Sequence, residues 1–460
     1  MKLLDGSYGA LIDDYLAGRV KPRIIKESKS RVVHRVERDG RAVYIKKFLD
    51  SGLRALIRDR AAHEAKVLGR LVDAGVGAAK PVAVGKGILV TAEIANAREL
   101  GQVLKPSHIR DLARFVRAVH DAGVRDDDLH VGNILVSDQG FHLIDVHQAT
   151  LKKLSGAERA DGVAFLLHSL WTRITPARAL ALVYAYAGNR DPAFAHQVWK
   201  KFQEARQTYW IDRTKRCLKD GREFAVDGPW RLRRPMTRAE AESIASQPGR
   251  LVKELKNRRI RVVGRSAEAP RGSPATRSPA ELFVKEHPRG LAEWENAHAL
   301  EVRHLPTPKL WAAKRGVVIG EWHARAVPLW DYVKASWPTW SRSRRDAFLY
   351  KLARDVRRLH VRGCFHKDLK ANNIIVEDGQ ILFIDLDRVK FALEIAERDR
   401  LFNLAQLNAA VGAPLTVGER LRFYRYYAGN NREWRMNWKR RVREIMKTTV
   451  ARKHHWPSSR

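Results

Sequence analysis

The stretch His366–Val376 reads HKDLKANNIIV, and Asp126–Val136 reads DDDLHVGNILV. Each sets an Asp (Asp368, Asp128), an Asn five residues later (Asn373, Asn133) and then an apolar run. A second Asp follows twelve residues beyond the Asn: Asp385 in LFIDLDR and Asp145 in HLIDVHQ. A lone D-x-x-x-x-N arises by accident in a chain this long. Two sets with identical internal spacing, each with a strand-like run between the Asn and the last Asp, do not.

Working outward, the whole chain repeats. RIIKESKSRVVHRV from Arg23 returns as RLVKELKNRRIRVV from Arg250, and YAGN at Tyr186 returns at Tyr427. The offset between copies is 227 at Arg23/Arg250, 239 at Lys46/Lys285, 229 at Glu64/Glu293, 240 from His120/His360 to Asp145/Asp385 and 241 at Tyr186/Tyr427. The jump to 239 places an insertion at GRSAEAPRGSPATRSPA from Gly264, a Pro/Gly/Ser-rich run that reads as an extended hairpin loop. The division expected is a first domain over 1–219, a linker over 220–248 where Gly, Pro and charge mix without periodicity, and a second domain over 249–460. Within each copy, alternating runs such as SRVVHRV and RAVYIKKF around ERDG predict an antiparallel hairpin. RDRAAHEAKVLGRLVDAG predicts a helix stopped at Gly75. Strands early and helices late give an α+β class with two lobes per copy.

The residue types suit phosphoryl transfer. Carboxylate and amide oxygens hold Mg²⁺ against nucleotide phosphates, and a separate carboxylate must face the acceptor hydroxyl. Lys46 in YIKK and Lys285 in FVKE each end a strand-like run, where an ammonium can reach α- and β-phosphates. A partner carboxylate belongs on the next helix. Glu64 stands seven residues before Leu71 and Glu293 seven before Leu300, a spacing that favours Glu293 over Glu295. An ordinary solvated helix face is the plainer reading of either glutamate.

These motifs resemble the catalytic and metal-binding loops of the protein-kinase-like fold, and within it the bacterial lipopolysaccharide core heptose and Kdo kinases of the WaaP/InaA group. The resemblance runs over nearly the whole chain, twice. It implies two tandem protein-kinase-like bilobal domains, each with a strand-rich N-lobe and a helical C-lobe, using ATP and Mg²⁺. It implies Asp128 and Asp368 as catalytic bases. Asn133 with Asp145, and Asn373 with Asp385, would be metal ligands, and Lys46/Glu64 and Lys285/Glu293 the phosphate-positioning pairs. The sequence departs from that fold's pattern in three places. No G-x-G-x-x-G precedes either lysine; KESKSR and KELKNR stand there, so Lys29 and Lys256 are candidates for phosphate contact. His147 and Asp387 replace the glycine of D-F-G, and no A-P-E follows, which favours a sugar or other small acceptor over a protein. Asp126 stands where the second copy has His366, crowding three acidic residues or pointing one to solvent. His120 and His360 read as packed structural histidines.

The chain has 460 residues, 45% of them hydrophobic, enough for two or three domains with real cores. Lys and Arg number 87 against 51 Asp and Glu, a surplus of +36, so its partners are anionic. No basic–aromatic RNA-binding motif occurs, which disfavours nucleic acid. Cys217 and Cys364 stand far apart without metal spacing, against a disulfide framework or a structural zinc site and in keeping with a reducing compartment. Asp5, Asp13 and Asp14 interrupt the N-terminus where a signal peptide is apolar, and the run ALALVYAYAG from Ala179 is about half the length that spans a bilayer. The tail from Asn437 reads as a basic amphipathic helix, either on a membrane surface or solvated with some core contact. The reading is an ATP/Mg²⁺-dependent phosphotransferase for a sugar hydroxyl of lipopolysaccharide core (heptose or Kdo) or a related saccharide. It would work in the cytoplasm, peripherally at the inner face of the membrane and in contact with anionic lipid. The alternatives are a kinase for a soluble small molecule or a protein, or a pseudokinase scaffold.

Overall fold

β-Branched residues at alternate positions need a sheet with one buried face. Val43 and Ile45, with Val36, Val82 and Val90, form that face in the first copy. The computed structural model describes residues 1–28, 30–49, 59–264, 281–411 and 414–451. The chain divides into two units, Met1–Arg206 and Gln207–Arg460.

In the first unit six antiparallel strands lie in the order Lys2–Leu3, Pro81–Gly85, Ile88–Ala92, Arg41–Phe48, Arg31–Arg38, Arg23–Ser28. The ERDG turn closes the expected hairpin, with Asp39 and Gly40 at φ of 51° and 73°, the left-handed pair that a tight two-residue turn requires. That turn sets Val33 opposite Lys46. The helix Arg60–Asp73 starts where the Asp59 side chain accepts from the N–H groups of Ala61 and Ala62. Its buried face, Ala61, Ala65, Leu68 and Leu71, carries Glu64 inward with it. In the helical part, Ile109, Leu112, Val116 and Val119 recur at helical spacing along His108–Asp121, which packs against Pro176–Ala187. The hairpin Ile134–Ser137/Gly140–Leu143 follows Asn133 and precedes Asp145.

The second unit repeats this plan with a seven-stranded sheet: Phe224–Asp227, Trp230–Arg233, Leu310–Lys314, Val317–Glu321, Glu281–Glu286, Arg258–Gly264, Arg250–Leu255. Residues 220–248 are therefore not a linker. They supply two edge strands and the helix Arg238–Ser246, because Phe224, Trp230, Leu232, Met236 and Ile244 are all buried. The proposed long loop over 265–280 lies outside the described residues; the strands on either side of it pair, Gly264 opposite Glu281. Helix Arg342–Val361 packs on Val417–Ala428, and Glu397–Ala410 on Trp438–Val450. In that last helix Arg441, Ile445 and Thr449, four residues apart, face inward, and Arg441 pairs with Glu397 and Glu433 at 2.6 Å each. The amphipathic tail thus spends its inner face on its own unit. Lys439, Arg440, Arg443 and Lys447 stay exposed, and residues 452–460 lie outside the description. Among the described residues no helix is long and apolar enough to cross a membrane.

The two histidines are packed as expected. His120 Nδ1 meets the Tyr186 hydroxyl at 2.6 Å and His360 Nδ1 meets that of Tyr427 at 2.7 Å, and burial pushes both imidazoles down to about 4.

Candidate active sites

In the second unit the lysine strand, the glutamate helix and the loop after Phe383 meet. Lys285 Nζ lies 2.6 Å from Glu293 Oε2 and 3.0 Å from Asp385 Oδ1. Burial of Asp385 works to raise its pKa, but Lys285 and Arg258 outweigh it and hold the carboxyl well below its usual range. Burial likewise opposes ionisation of Glu293, yet Lys285 and His287 keep its pKa low. Asp385 takes φ of 61°, a left-handed conformation that costs a non-glycine residue energy and is tolerated where the surrounding structure imposes it. Asp368 follows His366, whose Nδ1 accepts from the Asp368 N–H (3.2 Å) while Nε2–H donates to the Ile384 carbonyl (3.0 Å). Burial keeps this imidazole neutral. Asn373 Nδ2 donates to the Asp368 carbonyl (2.8 Å) and to its Oδ2 (3.1 Å), leaving the amide oxygen for another partner.

The first unit builds the same cluster. Lys46 Nζ lies 2.6 Å from Glu64 Oε1 and 3.2 Å from Asp145 Oδ1, and Asn133 Nδ2 donates to the Asp128 carbonyl at 3.1 Å. Asp145 takes φ of 60°, the same departure as Asp385. Its burial would raise its pKa, but His147, Lys46 and Arg31 together hold it far down. Glu64, Asp145 and His147 have the spacing of a metal trio. The Lys46 ammonium already bonds two of them, so it is the cation of that group. A cavity of about 600 Å³ opens beside Lys46, Glu64, Asn133 and Asp145, with Leu68, Leu89 and Ile144 as apolar wall. A further cavity of about 370 Å³ among Leu352, Leu404, Leu407 and Ile445 lies away from all these carboxylates.

All ten residues expected from the two Asp/Asn/Asp sets and the Lys/Glu pairs thus converge, five in each unit. Lys256 does not join them; it is exposed in the turn after Arg250–Leu255. Lys29 lies outside the described residues. Among the described residues, the basic ones that reach the clusters lie two positions further along each duplicated loop: Arg31 Nη1 bonds Asp145 Oδ1 at 2.6 Å, and Arg258 Nη1 bonds Asp385 Oδ1 at 2.8 Å. The signal was the repeat itself, since Arg31 and Arg258 hold the same place in KESKSR and KELKNR. Lys370, two residues after Asp368, was also missed; its Nζ lies 2.7 Å from Asp368 Oδ2, and His130 takes its place in the first unit, 3.7 Å from Asp128. Asp126 neither points to solvent nor leaves three carboxylates crowded in water. It is buried in the place of His366, with Oδ1 accepting from the Asp128 N–H at 3.0 Å, and burial pushes its pKa up to about 7.

A model of the lipopolysaccharide kinase (Kdo/WaaP) family matches residues 20–186 and again 276–427, one segment in each unit and well over half of the chain together. The chain belongs to the lipopolysaccharide kinase (Kdo/WaaP) family. A 3-deoxy-D-manno-octulosonic acid kinase of Vibrio cholerae serotype O1 is 35% identical over 95 residues, 18% of this chain and 40% of that protein. A probable serine/threonine-protein kinase RIO1 homologue of Encephalitozoon cuniculi is 26% identical over 172 residues, 34% of this chain and 44% of that protein. The Kdo/WaaP chain thus spans less than half the length of these curated relatives. A solved structure of WaaP in complex with acyl carrier protein is 23% identical, with a TM-score of 0.36, covering 45% of this chain and 100% of that one.

Proposed function

We propose that this member of the Kdo/WaaP family is an ATP- and Mg²⁺-dependent phosphotransferase whose acceptor is a sugar hydroxyl of lipopolysaccharide core, heptose or Kdo, or of a related saccharide. The observation that carries the reading is the convergence in the second unit of Lys285, Glu293 and Asp385, with Asp368 tied to Asn373 at 3.1 Å. The family description and the Vibrio relative's name support the saccharide acceptor.

The donor set fits the cofactors. Asn373 and Asp385 in the second unit, and Asn133 and Asp145 in the first, offer the hard oxygen atoms that suit Mg²⁺ and would hold it; the ion supplies positive charge against the phosphate oxygens. Lys285, fixed by Glu293, and Lys46, fixed by Glu64, position the α- and β-phosphates. Asp368, or Asp128, takes the proton of the acceptor hydroxyl while that oxygen bonds the γ-phosphorus; the bond to the bridging oxygen breaks and ADP leaves with the electron pair. Arg258 and Arg31 exchange their aspartate for the nucleotide phosphates, in place of a glycine loop.

Contact with an anionic membrane at the inner face of the cytoplasmic membrane belongs to the same reading. The +36 surplus and the exposed Lys439, Arg440, Arg443 and Lys447 support it, each basic side chain near such a surface contributing about 1 kcal/mol. Mass spectrometry of lipopolysaccharide core from cells with and without the protein tests the function: loss of a phosphate mass is expected, and an unchanged core rejects the acceptor.

A further inference from the structure

The duplicated loops differ in charge on the side away from the Lys–Glu pair. In the second unit the strand pair Cys364–His366/Val389–Phe391 sets Lys390 opposite Phe365, next to Lys367. The Lys390 ammonium is the main reason the Lys367 pKa falls below the usual lysine value, with desolvation, Arg388 and Arg289 adding to it. Of the nearby carboxylates, Asp368 is engaged with Lys370 (2.7 Å), Asp385 with Lys285 (3.0 Å) and Arg258 (2.8 Å), and Asp387 lies 4.0 Å from Arg388, so none is paired with Lys367 or Lys390. Lys367 and Arg388 line a cavity of about 450 Å³ together with Asp368, Asp385 and Asp387. The Lys367 and Lys390 ammonium groups repel each other, and an anion between them removes the repulsion.

The first unit keeps the ladder and loses the charge. Val124–Arg125 pairs with Thr150–Leu151 in the same register, Thr150 opposite Arg125. Asp127, Gln148 and Thr150 stand 240 positions before Lys367, Arg388 and Lys390, and Asp127 is bonded by Arg125 at 2.9 Å. The anion of the second unit is not a phosphate on the adjoining segment, because residues 386–406 contain no Ser, Thr or Tyr.

We propose that Lys367, Arg388 and Lys390 form an anion subsite beside Asp368, which selects an acceptor saccharide carrying a carboxylate or phosphate near its reacting hydroxyl, whereas the first unit takes an acceptor without such a group at that place. The inference rests on the phosphotransferase reading of the cleft.

Calorimetric titration of the full-length protein, with ADP and Mg²⁺ present, tests it on three forms of core oligosaccharide: native, carboxyl-reduced and dephosphorylated. The native form is expected to bind once per chain. K367Q/K390Q is expected to weaken that binding tenfold or more, and K367R/K390R to restore it. One of the two altered sugars should bind wild type as weakly as the native sugar binds the double variant, and be insensitive to the substitutions; which one identifies the carboxylate or the phosphate. Native binding to K367Q/K390Q within twofold of wild type, an equal loss for all three sugars, or no binding of the native form overturns the subsite. Both lysines lie at the surface, and retained ADP binding reports an intact cleft in the variant. Labelled phosphate transfer from ATP is followed in the same mixtures. Selective binding without transfer rejects the phosphotransferase reading and leaves the subsite standing.

Discussion

The two units keep the same Lys, Glu, Asp, Asn and Asp but support the loop that carries the first Asp by different means. In the second, Asn403 donates to the His366 carbonyl (2.7 Å), and Gln406 donates to the Lys367 carbonyl (2.9 Å) and accepts from the Leu369 N–H (3.0 Å). His360 joins this network through Asn403 (3.0 Å). In the first, where the offset has grown to 241 (Arg159 beside Tyr186, Arg400 beside Tyr427), Gly162 and Phe165 stand in the places of Asn403 and Gln406 and bring no polar side chain. The loop is held there by Asp126 and by Ser169, whose Oγ accepts from the Val131 N–H at 3.2 Å. A buried polar network whose groups are satisfied fixes one backbone conformation, while an apolar wall fixes only a volume. The motif and its support are therefore separable, and the second loop is the better organised for transfer.

That ranking breaks most directly at the bases. Asp368→Asn in the full-length chain is expected to lower phosphate transfer by about 10²–10⁴-fold, with ATP binding retained, and Asp128→Asn to change the total far less. A larger loss from Asp128→Asn inverts the ranking. Asn403→Gly gives the second loop the residue of the first. It strips partners from His360 and the His366 carbonyl, so the expected cost is about 1–3 kcal/mol of stability and about tenfold or more in kcat. Steady-state kinetics beside a denaturant titration would reject the network's role if kcat held while stability fell.

The sequence carried the duplication, the Asp/Asn/Asp spacing and the Lys/Glu partners because phosphoryl chemistry constrains those positions in the same way twice. Other features were hidden for physical reasons. FAVDGPWRLRRP reads as linker because Arg and Asp interrupt it, yet Phe224 and Trp230 are buried beside a D-G turn, a hairpin signal masked by charge. Lys256 looks free in the sequence because it sits at a loop tip, whereas strand pairing aims the arginines at the cleft: Arg31 opposite Phe48, Arg258 opposite Leu255. Asn403 and Gln406 carried no local signal at all. They act on backbone groups of a loop 37 to 39 residues away in sequence.

A smaller effect is expected at these arginines. Arg258→Ala frees Asp385 of one cation and removes a phosphate donor, so KM for ATP should rise about three- to tenfold, with the loss of one charge-assisted hydrogen bond, while kcat for the second site changes less. The Arg31→Ala change should move total activity less still. Equal effects of the two would argue that both sites turn over alike.

The smallest effect separates the two loops by pH. Asp126 is pushed up to about 7, by burial first and by Asp128, Asp127 and Asp145 in addition, against an ordinary carboxyl near 3.8. Between about pH 4 and 7 the folded first unit holds a proton that the unfolded chain releases, so this group's stabilisation is full below pH 4 and is lost as the pH rises through 7. His366 has the opposite sign. Burial lowers its pKa below 6.5, so its contribution is present above 6.5 and is lost as the pH falls. Scanning calorimetry of wild type, Asp126→Asn and His366→Asn from pH 5 to 8 reads both. Relative to wild type, Asp126→Asn should gain about 2–4 °C in Tm between pH 5 and pH 8, because the amide needs no proton to sit in that buried place. The penalty of His366→Asn should shrink toward pH 5. A Tm difference for Asp126→Asn that stays flat across this range would show that Asp126 does not hold a proton at neutral pH, and that the two loops differ only in their hydrogen-bond support.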